Sequence, residues 1–458
     1  MTDWGGAMVA DFIELDKNSK TPVWEQIYRA LADAAESGAL AAGARLPSVR
    51  ELAAELRVSR SPVENAYARL TVEGKIESVP KSGCFVARGE PAAGNLRARR
   101  ETEEAPPRFD FRSGSIDAEA ADAEAWGRCV RAALKRRGEI ITRGDPRGEP
   151  ELRRALAAYA YRARGVRSEA ENVVVASGTQ QLLFLLCRAL GTPGRAAVAS
   201  PGFEQGERIL RDCGWSVTRA ESPEAAECGG AELFLEISSK RPAESFARAD
   251  ARRKALASWA REGRLLVEDD YNGELRWRAR PIPAAQALAP DNAVYIGSFS
   301  QMLLPSVRIA YMALPARIAE RCAAAARLYD PTAGKAEQLA LAEYIVSGGL
   351  ERHLRRCRKI YLRKNRLLAA ELRAAFGDMD FTILESYTAA VIPCAEPEAA
   401  ARLAAEAGAA VERWEGGVAL FFAGIPSGDI PAAVSALRGA WLGSALFPHA
   451  SRGARSAV

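Results

Sequence analysis

Three features of the 458-residue sequence predict an α/β protein built in two parts. Residues 22–88 hold three helical patterns followed by a strand, a tight turn and a strand. From Phe109 onward strands and helices alternate, which predicts a large domain with a mainly parallel sheet. After about Asp378 the strands shorten, which predicts a smaller α+β C-terminal lobe. The expected division is an N-terminal extension (1–21), a three-helix module (22–88), a linker (89–108), a large domain (109–442) and a tail (443–458).

In the first module Val23, Ile27 and Leu31 recur at helical spacing, so Pro22 to Ser37 is predicted as an amphipathic helix. Ser48-Val49-Arg50-Glu51 is a capping-box pattern that opens a second helix with Val49, Leu52, Ala53 and Leu56 on its apolar face. Arg57-Val58 forms the turn, Ser59 is the next N-cap, and Val63, Ala66, Tyr67 and Leu70 line the third helix. Pro62 falls in its first turn, where a missing N–H costs little. Lys75 to Val79 and Cys84 to Val86 flank the turn Pro80-Lys81-Ser82-Gly83 as a two-stranded wing. Helix, helix, turn, helix and wing form a DNA-binding arrangement. The polar face of the third helix offers Arg60, Ser61, Glu64 and Asn65; Arg60 suits a guanine edge or a phosphate, and Asn65 an adenine edge. A small helical domain with solvated arginines is the bland alternative, and it leaves the wing unexplained.

Residues 88–108 are rich in Arg, Glu, Ala and Pro without apolar periodicity, as in a flexible linker; Arg97, Arg99 and Arg100 there are expected to be solvated. The expected strands of the large domain are Val173–Ala176, Ala196–Ala199, Leu233–Ile237, Leu265–Val267, Val294–Gly297 and Val307–Ala313. The expected helices are Glu151–Arg164, Gln180–Leu190, Asp250–Arg261 and Leu350–Phe376. Ala389–Ile392 and Val418–Phe422 are the expected strands of the lobe, with helices Glu396–Ala407 and Asp429–Trp441. Chemistry in such a sheet belongs at the carboxyl ends of its strands. Ser177-Gly178-Thr179-Gln180-Gln181 lies there and opens a helix, a natural phosphate seat. Glu268-Asp269-Asp270-Tyr271 and the run Ser298 to Arg308 follow two further strands. Each alone is more often local capping; the signal is their order.

Composition is that of an ordinary globular protein, and a net charge of +5 permits a nucleic-acid partner without arguing for one. No apolar run is long enough for a membrane span, and the N-terminus has no secretory pattern, so a cytoplasmic protein is expected. The eight cysteines form no Cys-x-x-Cys pair and are expected as free thiols. With only His353 and His449, a histidine metal site or Ser-His-Asp triad is not expected.

The phrases Leu46 to Ala53, Val58-Ser59-Arg60-Ser61-Pro62-Val63, Ala66-Tyr67-x-x-Leu70 and Ser82 to Val86 resemble the GntR-type winged helix-turn-helix. That resemblance implies DNA contacts for Arg50, Arg60, Ser61 and Asn65, and a wing tip at Gly83; Arg57 replaces the glycine usual in the turn. The later motifs, with Gly144-Asp145-Pro146-Arg147-Gly148 and Pro201-Gly202-Phe203, resemble fold-type I, aminotransferase class I/II enzymes. Together they are similar to the MocR subfamily of GntR regulators. The resemblance implies a pyridoxal 5′-phosphate (PLP) site. Gly178, Thr179, Ser298 and Arg308 would hold the phosphate, Asp269 would pair with the ring nitrogen, Tyr271 with the ring hydroxyl, and Phe203 would stack on the ring.

The pattern breaks in the pocket. Gln301 stands where the family's lysine forms its Schiff base, and a carboxamide cannot do so. Arg143 stands where a tyrosine usually precedes Gly-Asp-Pro. Ser238-Ser239-Lys240-Arg241-Pro242 departs from the usual Thr-Pro-Ser-His-Gln, and Tyr387-Thr388-Ala389-Ala390 from Ala-Gly-Leu-His. Arg413 is the nearest arginine for a substrate carboxylate. Covalent PLP and ordinary transamination are therefore not expected. The resemblance implies a homodimeric regulator of double-stranded operator DNA; with the lysine replaced, its pocket is expected either to bind PLP or a PLP adduct noncovalently, or to be refitted for another small anionic ligand, with Arg143, Lys240 and Arg241 supplying new positive charge. The alternatives are a regulator whose pocket binds no ligand, and a PLP-dependent aminotransferase with a DNA-binding appendage, for which Lys240 would serve as a displaced lysine.

Overall fold

The structure is a computed structural model that describes residues 9–16, 19, 21–79, 82–87, 106–116, 118–200, 202–237, 246–261, 263–271, 273–276, 282–377, 379–385, 388–442 and 446–447. Outside them lie most of the expected linker with Arg97, Arg99 and Arg100, the wing residues Pro80 and Lys81, the loop residues Lys240 and Arg241, Tyr387 and His449. The chain divides into two units, 1–106 and 107–458.

The first unit holds α1 (Val23–Glu36), α2 (Val49–Glu55), α3 (Arg60–Val72), β1 (Ile76–Val79) and β2 (Gly83–Val86). The capping box forms as expected: Ser48 accepts the Glu51 N–H, and the Glu51 carboxylate accepts that of Ser48. Ser59 occupies the N-cap of α3, but its side chain makes no cap bond there. The apolar faces of the three helices bury Ile27, Leu31, Leu52, Val63, Tyr67 and Leu70 against Ile76 and Val86 of the hairpin. Residues before α1 join this core: a single 3₁₀ turn, Val9–Phe12, leads to the buried Ile13.

The second unit holds, in chain order, β3 (Phe109–Phe111), α4 (Ala123–Lys135), α5 (Arg137–Ile140), α6 (Pro150–Arg164), β4 (Val173–Ala176), α7 (Thr179–Leu190) and β5 (Arg195–Ala199). There follow α8 (Glu204–Asp212), β6 (Ser216–Ala220), α9 (Pro223–Cys228), β7 (Leu233–Glu236), α10 (Phe246–Trp259), β8 (Leu265–Asp270), β9 (Ala293–Ser298) and β10 (Ala310–Ala313). Then come α11 (Ala316–Ala326), α12 (Lys335–Val346), α13 (Gly349–Phe376), β11 (Thr382–Leu384), β12 (Ala389–Pro393), α14 (Pro397–Glu406), β13 (Ala409–Trp414), β14 (Gly417–Phe421) and α15 (Ile430–Trp441).

A 7-stranded sheet runs β4-β10-β9-β8-β7-β5-β6. All its pairings are parallel except the two made by β10, so the mainly parallel sheet is present. The reversal of β10 matters for the site. Ala310, its first residue, lies between Ala176 and Ser298. The entry to β10 therefore sits at the same edge as the exits of β4 and β9. The strand expected from Val307 begins only at Ala310, because a turn through Pro305 closes by a Val307 N–H to Leu304 carbonyl bond of 2.9 Å. Arg308 consequently lies on the approach to the strand.

A 5-stranded sheet, β11-β12-β14-β13-β3, forms the smaller lobe. The lobe is not purely C-terminal as expected: β3, at the start of the unit, pairs in parallel with β13 at its edge. The basic stretch of α13 is amphipathic, with His353, Leu354, Cys357, Ile360 and Tyr361 buried and Arg355, Arg356 and Lys359 exposed. Among the described residues no helix is long and apolar enough to cross a membrane, and no cysteine is paired.

Candidate functional site

The first candidate surface lies on α2, α3 and the hairpin. Arg50, Arg60, Ser61 and Asn65 are all exposed, as the helical phase of the buried Leu52, Val63 and Ala66 requires. Between the helices Arg57 holds φ 54°, the left-handed region that glycine adopts without penalty. Gly83 opens β2 with φ 113°, and a Cβ there would stand 3.3 Å from Nε of Arg45. Arg45, Arg50, Arg57 and Arg60 are exposed and make no ion pair among the described residues. Arg29 and Arg69, by contrast, are each held by a glutamate one helical turn away, at 2.6 and 2.7 Å. Arg45 was not singled out from the sequence; its apposition to Gly83 follows from the bridge it makes to Phe85.

The second is a cavity of about 480 Å³ at the carboxyl edge of the large sheet. Gly178, Thr179, Phe203, Asp269, Tyr271, Ser298 and Arg308 all line it. Their convergence follows from the topology: β4, β8 and β9 end there and β10 begins there. The Arg308 guanidinium donates to the Ser300 hydroxyl at 3.2 Å, and the Ser300 N–H donates to the Ser298 hydroxyl at 3.4 Å. Gly178 precedes α7 with φ 154°, and a Cβ there would stand 3.2 Å from Nη2 of Arg308. Glycine thus leaves open a space between an arginine and a helix N-terminus, where unpaired N–H groups favour an anion. Phe203 rests against Gly206, whose Cβ would strike its ring.

Strand alternation sorts the three acids of β8. Asp269 faces the cavity, while Glu268 and Asp270 face the other side of the sheet. Asp270 is clamped there by Nε of Arg164 at 2.5 Å and by the Tyr295 hydroxyl at 3.0 Å. Burial first, and the Asp270 charge second, push the Glu268 and Glu274 carboxyls up to about 7.

Several expectations are corrected. Gln301 directly follows the cavity residue Ser300 but is not itself among the lining residues. Arg143 adds no charge to the cavity of its own chain: it is 82% exposed and pairs with Asp330 at 3.1 Å. Arg413 points out of the cavity toward Glu398, 3.3 Å away, because it alternates with Glu412 and Trp414, which line it. Ser300 belongs to the motif read from the sequence, and the structure adds its contact with Arg308; the residues missed from the sequence are a wall contributed by the smaller lobe: Ser113, Glu412, Trp414 and Phe421. The Ser113 N–H donates to the Glu412 carboxylate at 2.8 Å.

Two family models match the chain: bacterial regulatory proteins of the gntR family over residues 24–86, and aminotransferase class I and II over residues 112–229. The HTH-type transcriptional regulator YhdI of Bacillus subtilis is 34% identical, over 80% of this chain and 81% of its own length. The HTH-type pyridoxine biosynthesis transcriptional regulator PdxR of Corynebacterium glutamicum is 30% identical, over 85% and 88%. The probable rhizopine catabolism regulatory protein MocR of Rhizobium meliloti is 29% identical, over 80% of each. Among solved structures, aspartate aminotransferase from Thermus thermophilus with maleate covers 75% of this chain and 94% of its own, with TM-score 0.65 and 21% identity. That likeness concerns the fold of the second unit alone. A gntR-type helix-turn-helix joined to an aminotransferase-type domain, with relatives of this identity and coverage, places the chain among the MocR-type transcriptional regulators of the GntR family.

Proposed function

We propose that this regulator binds operator DNA through α3 and the wing, and that its second unit dimerises and holds a small phosphorylated ligand without a covalent bond. The observation that carries the reading is the cavity itself. Its anion seat is complete in Arg308, Ser298, Ser300, Gly178 and the α7 N-terminus, while the slot after Ser300 holds a carboxamide, Gln301.

These residues fit PLP. Gly178 leaves space beside Arg308 that a Cβ would fill, Asp269 is a buried carboxylate suited to a protonated ring nitrogen, and Phe203 and Tyr271 supply an aromatic face and a hydroxyl. Arg308, Ser298, Ser300 and Thr179 would hold its phosphate. When bound, PLP supplies an electron-withdrawing ring and an aldehyde. Gln301 offers no amine to that aldehyde and carries no proton to move at neutral pH, so the arrangement favours sensing over turnover. An aminotransferase with a DNA-binding appendage is the second reading, and Gln301 stands against it.

Dimerisation is supported by an apolar cleft of about 450 Å³ in which Phe184 and Tyr329 stay largely exposed beside Leu185 and Pro331. The ligand acts on DNA binding only through a difference in affinity between two arrangements of the dimer.

The test uses the full-length protein. Arg50→Ala and Arg60→Ala are expected to lower operator affinity by roughly ten-fold or more each in a mobility-shift assay, with unchanged thermal melting. Arg308→Ala is expected to abolish PLP binding in calorimetry and leave the ligand-free operator complex intact. Unchanged operator affinity in both arginine variants would remove the DNA-binding assignment. Unchanged PLP affinity in Arg308→Ala would remove the cavity assignment.

A further inference from the structure

The cavity has two unlike walls. One belongs to the large sheet and carries Arg308 with the hydroxyls and N–H groups around it. The other belongs to the smaller lobe and carries Glu412, Trp414 and Phe421. Glu412 and Trp414 stand two residues apart on β13, so strand alternation puts both on the cavity face. Trp414 and Phe421 meet edge to face, with ring centres 6.1 Å apart and planes at 60°. The titratable lining also includes Asp269 and Tyr271. Among the described lining residues there is one cation, Arg308, against two carboxylates, Asp269 and Glu412.

Among the described residues Glu412 has no positive partner of its own. It makes no ion pair among the described residues. Its one fixed hydrogen bond comes from the Ser113 N–H. The nearby Arg112 is committed to Asp110 through two bonds of 2.8 Å, and the adjacent Arg413 is turned away to Glu398. A ligand that fills the cavity takes water from this carboxylate. An uncharged group placed there leaves it desolvated and uncompensated, which is costly; a cationic group restores the balance. Trp414 beside it strengthens the preference, since an indole face attracts an ammonium ion.

Resting on the reading that Arg308 and the α7 N-terminus seat a phosphate, we infer that the cavity selects a phosphate monoester that also bears an ammonium group, with Glu412 and Trp414 as the recognition wall. The selected form is the amine of a phosphorylated ring compound, in preference to the corresponding alcohol. The second negative charge, Asp269, accommodates a protonated ring nitrogen in the same molecule.

Two probes isolate the ammonium group: pyridoxamine 5′-phosphate and pyridoxine 5′-phosphate share ring and phosphate and differ in amine against hydroxyl. Titration calorimetry of the full-length wild type is expected to give a Kd for the amine at least roughly ten-fold below that for the alcohol, the worth of one hydrogen bond to a charged group. Glu412→Gln keeps an oxygen for the Ser113 N–H and is expected to bring the two affinities within about two-fold of each other. Arg308→Ala is expected to weaken both probes together. Equal affinities in wild type, or a preference that survives Glu412→Gln, overturn the inference and leave the phosphate seat standing. Failure of both probes to bind wild type overturns the phosphate seat and the inference together.

Discussion

Replacing Arg57 by glycine separates the backbone role of this residue from its charge. Arg57 ends the turn after α2 with φ 54°. Its N–H donates to the Ala54 carbonyl at 3.3 Å and the next N–H, of Val58, to that of Ala53 at 3.0 Å, so the left-handed residue closes the helix. An L-residue in this region costs about 1–2 kcal/mol relative to right-handed conformations. Glycine removes that cost and adds about 0.5–1 kcal/mol of chain entropy to the unfolded state. Arg57 is exposed and makes no ion pair that the change would sacrifice. The net expectation is a gain of about 0.5–1 kcal/mol for the first unit. Amide hydrogen exchange in the full-length protein reads this as a roughly two- to five-fold rise in protection across α2 and α3. Operator affinity measured against salt reads the charge: a lost phosphate contact lowers the log–log slope by about 0.9 for each Arg57 engaged. Unchanged or reduced protection in α2 and α3 would refute the claim that Arg57 is strained. An unchanged salt slope would show that its guanidinium does not touch the phosphates.

Two further outcomes follow from the second unit. Gln301→Lys is expected to acquire a covalent PLP adduct that survives borohydride reduction and is seen by mass, because it places an amine next to Ser300; a variant with no adduct would mean that this slot does not reach the ligand. The pH dependence of stability has a definite sign. Folded Glu268 and Glu274 keep their protons up to about 7, whereas the unfolded groups release theirs near 4.5. The folded state therefore binds more protons across this window, and stability falls as pH rises through it. Carboxylates held low by neighbouring arginines, such as Glu207 and Glu227, have lost their protons below the window in both states. Urea midpoints of the wild type should drop between about pH 5 and about pH 8. Glu274→Gln should flatten the trend, and a wild-type midpoint that rises over this range would contradict it.

The parts legible in the sequence were those whose signal is local. The Ser48–Glu51 capping box, the apolar phase of α1 to α3 and the glycine at the mouth of α7 each depend on neighbours within a turn or two of chain, and each is present. The cavity's large-sheet wall was legible because strand ends carry its residues in a fixed order. The other wall was not. β13 sits in a stretch rich in alanine and glycine, so its amphipathic alternation was not recognised and Glu412 and Trp414 went unread. β3 is three residues long and exists only because β13 offers an edge to pair with. Ser300 rather than Ser298 meets Arg308 because of the phase in which the chain leaves β9, a property of the turn that a motif does not encode. Arg143 neighbours a glycine-rich motif in sequence, but its chain direction carries it to the surface and to Asp330.

The pairing of β3 with β13 gives the second unit a mooring. The segment that joins the two units enters the second at Pro107 and is at once laced into the sheet edge at Phe109–Phe111. It then leaves directly through Ser113, whose N–H is fastened to Glu412. The cavity wall and the first strand of the second unit are thus joined along one short strip of backbone. Glu412 therefore fastens, through the hydrogen bond from Ser113, the strand with which the second unit begins.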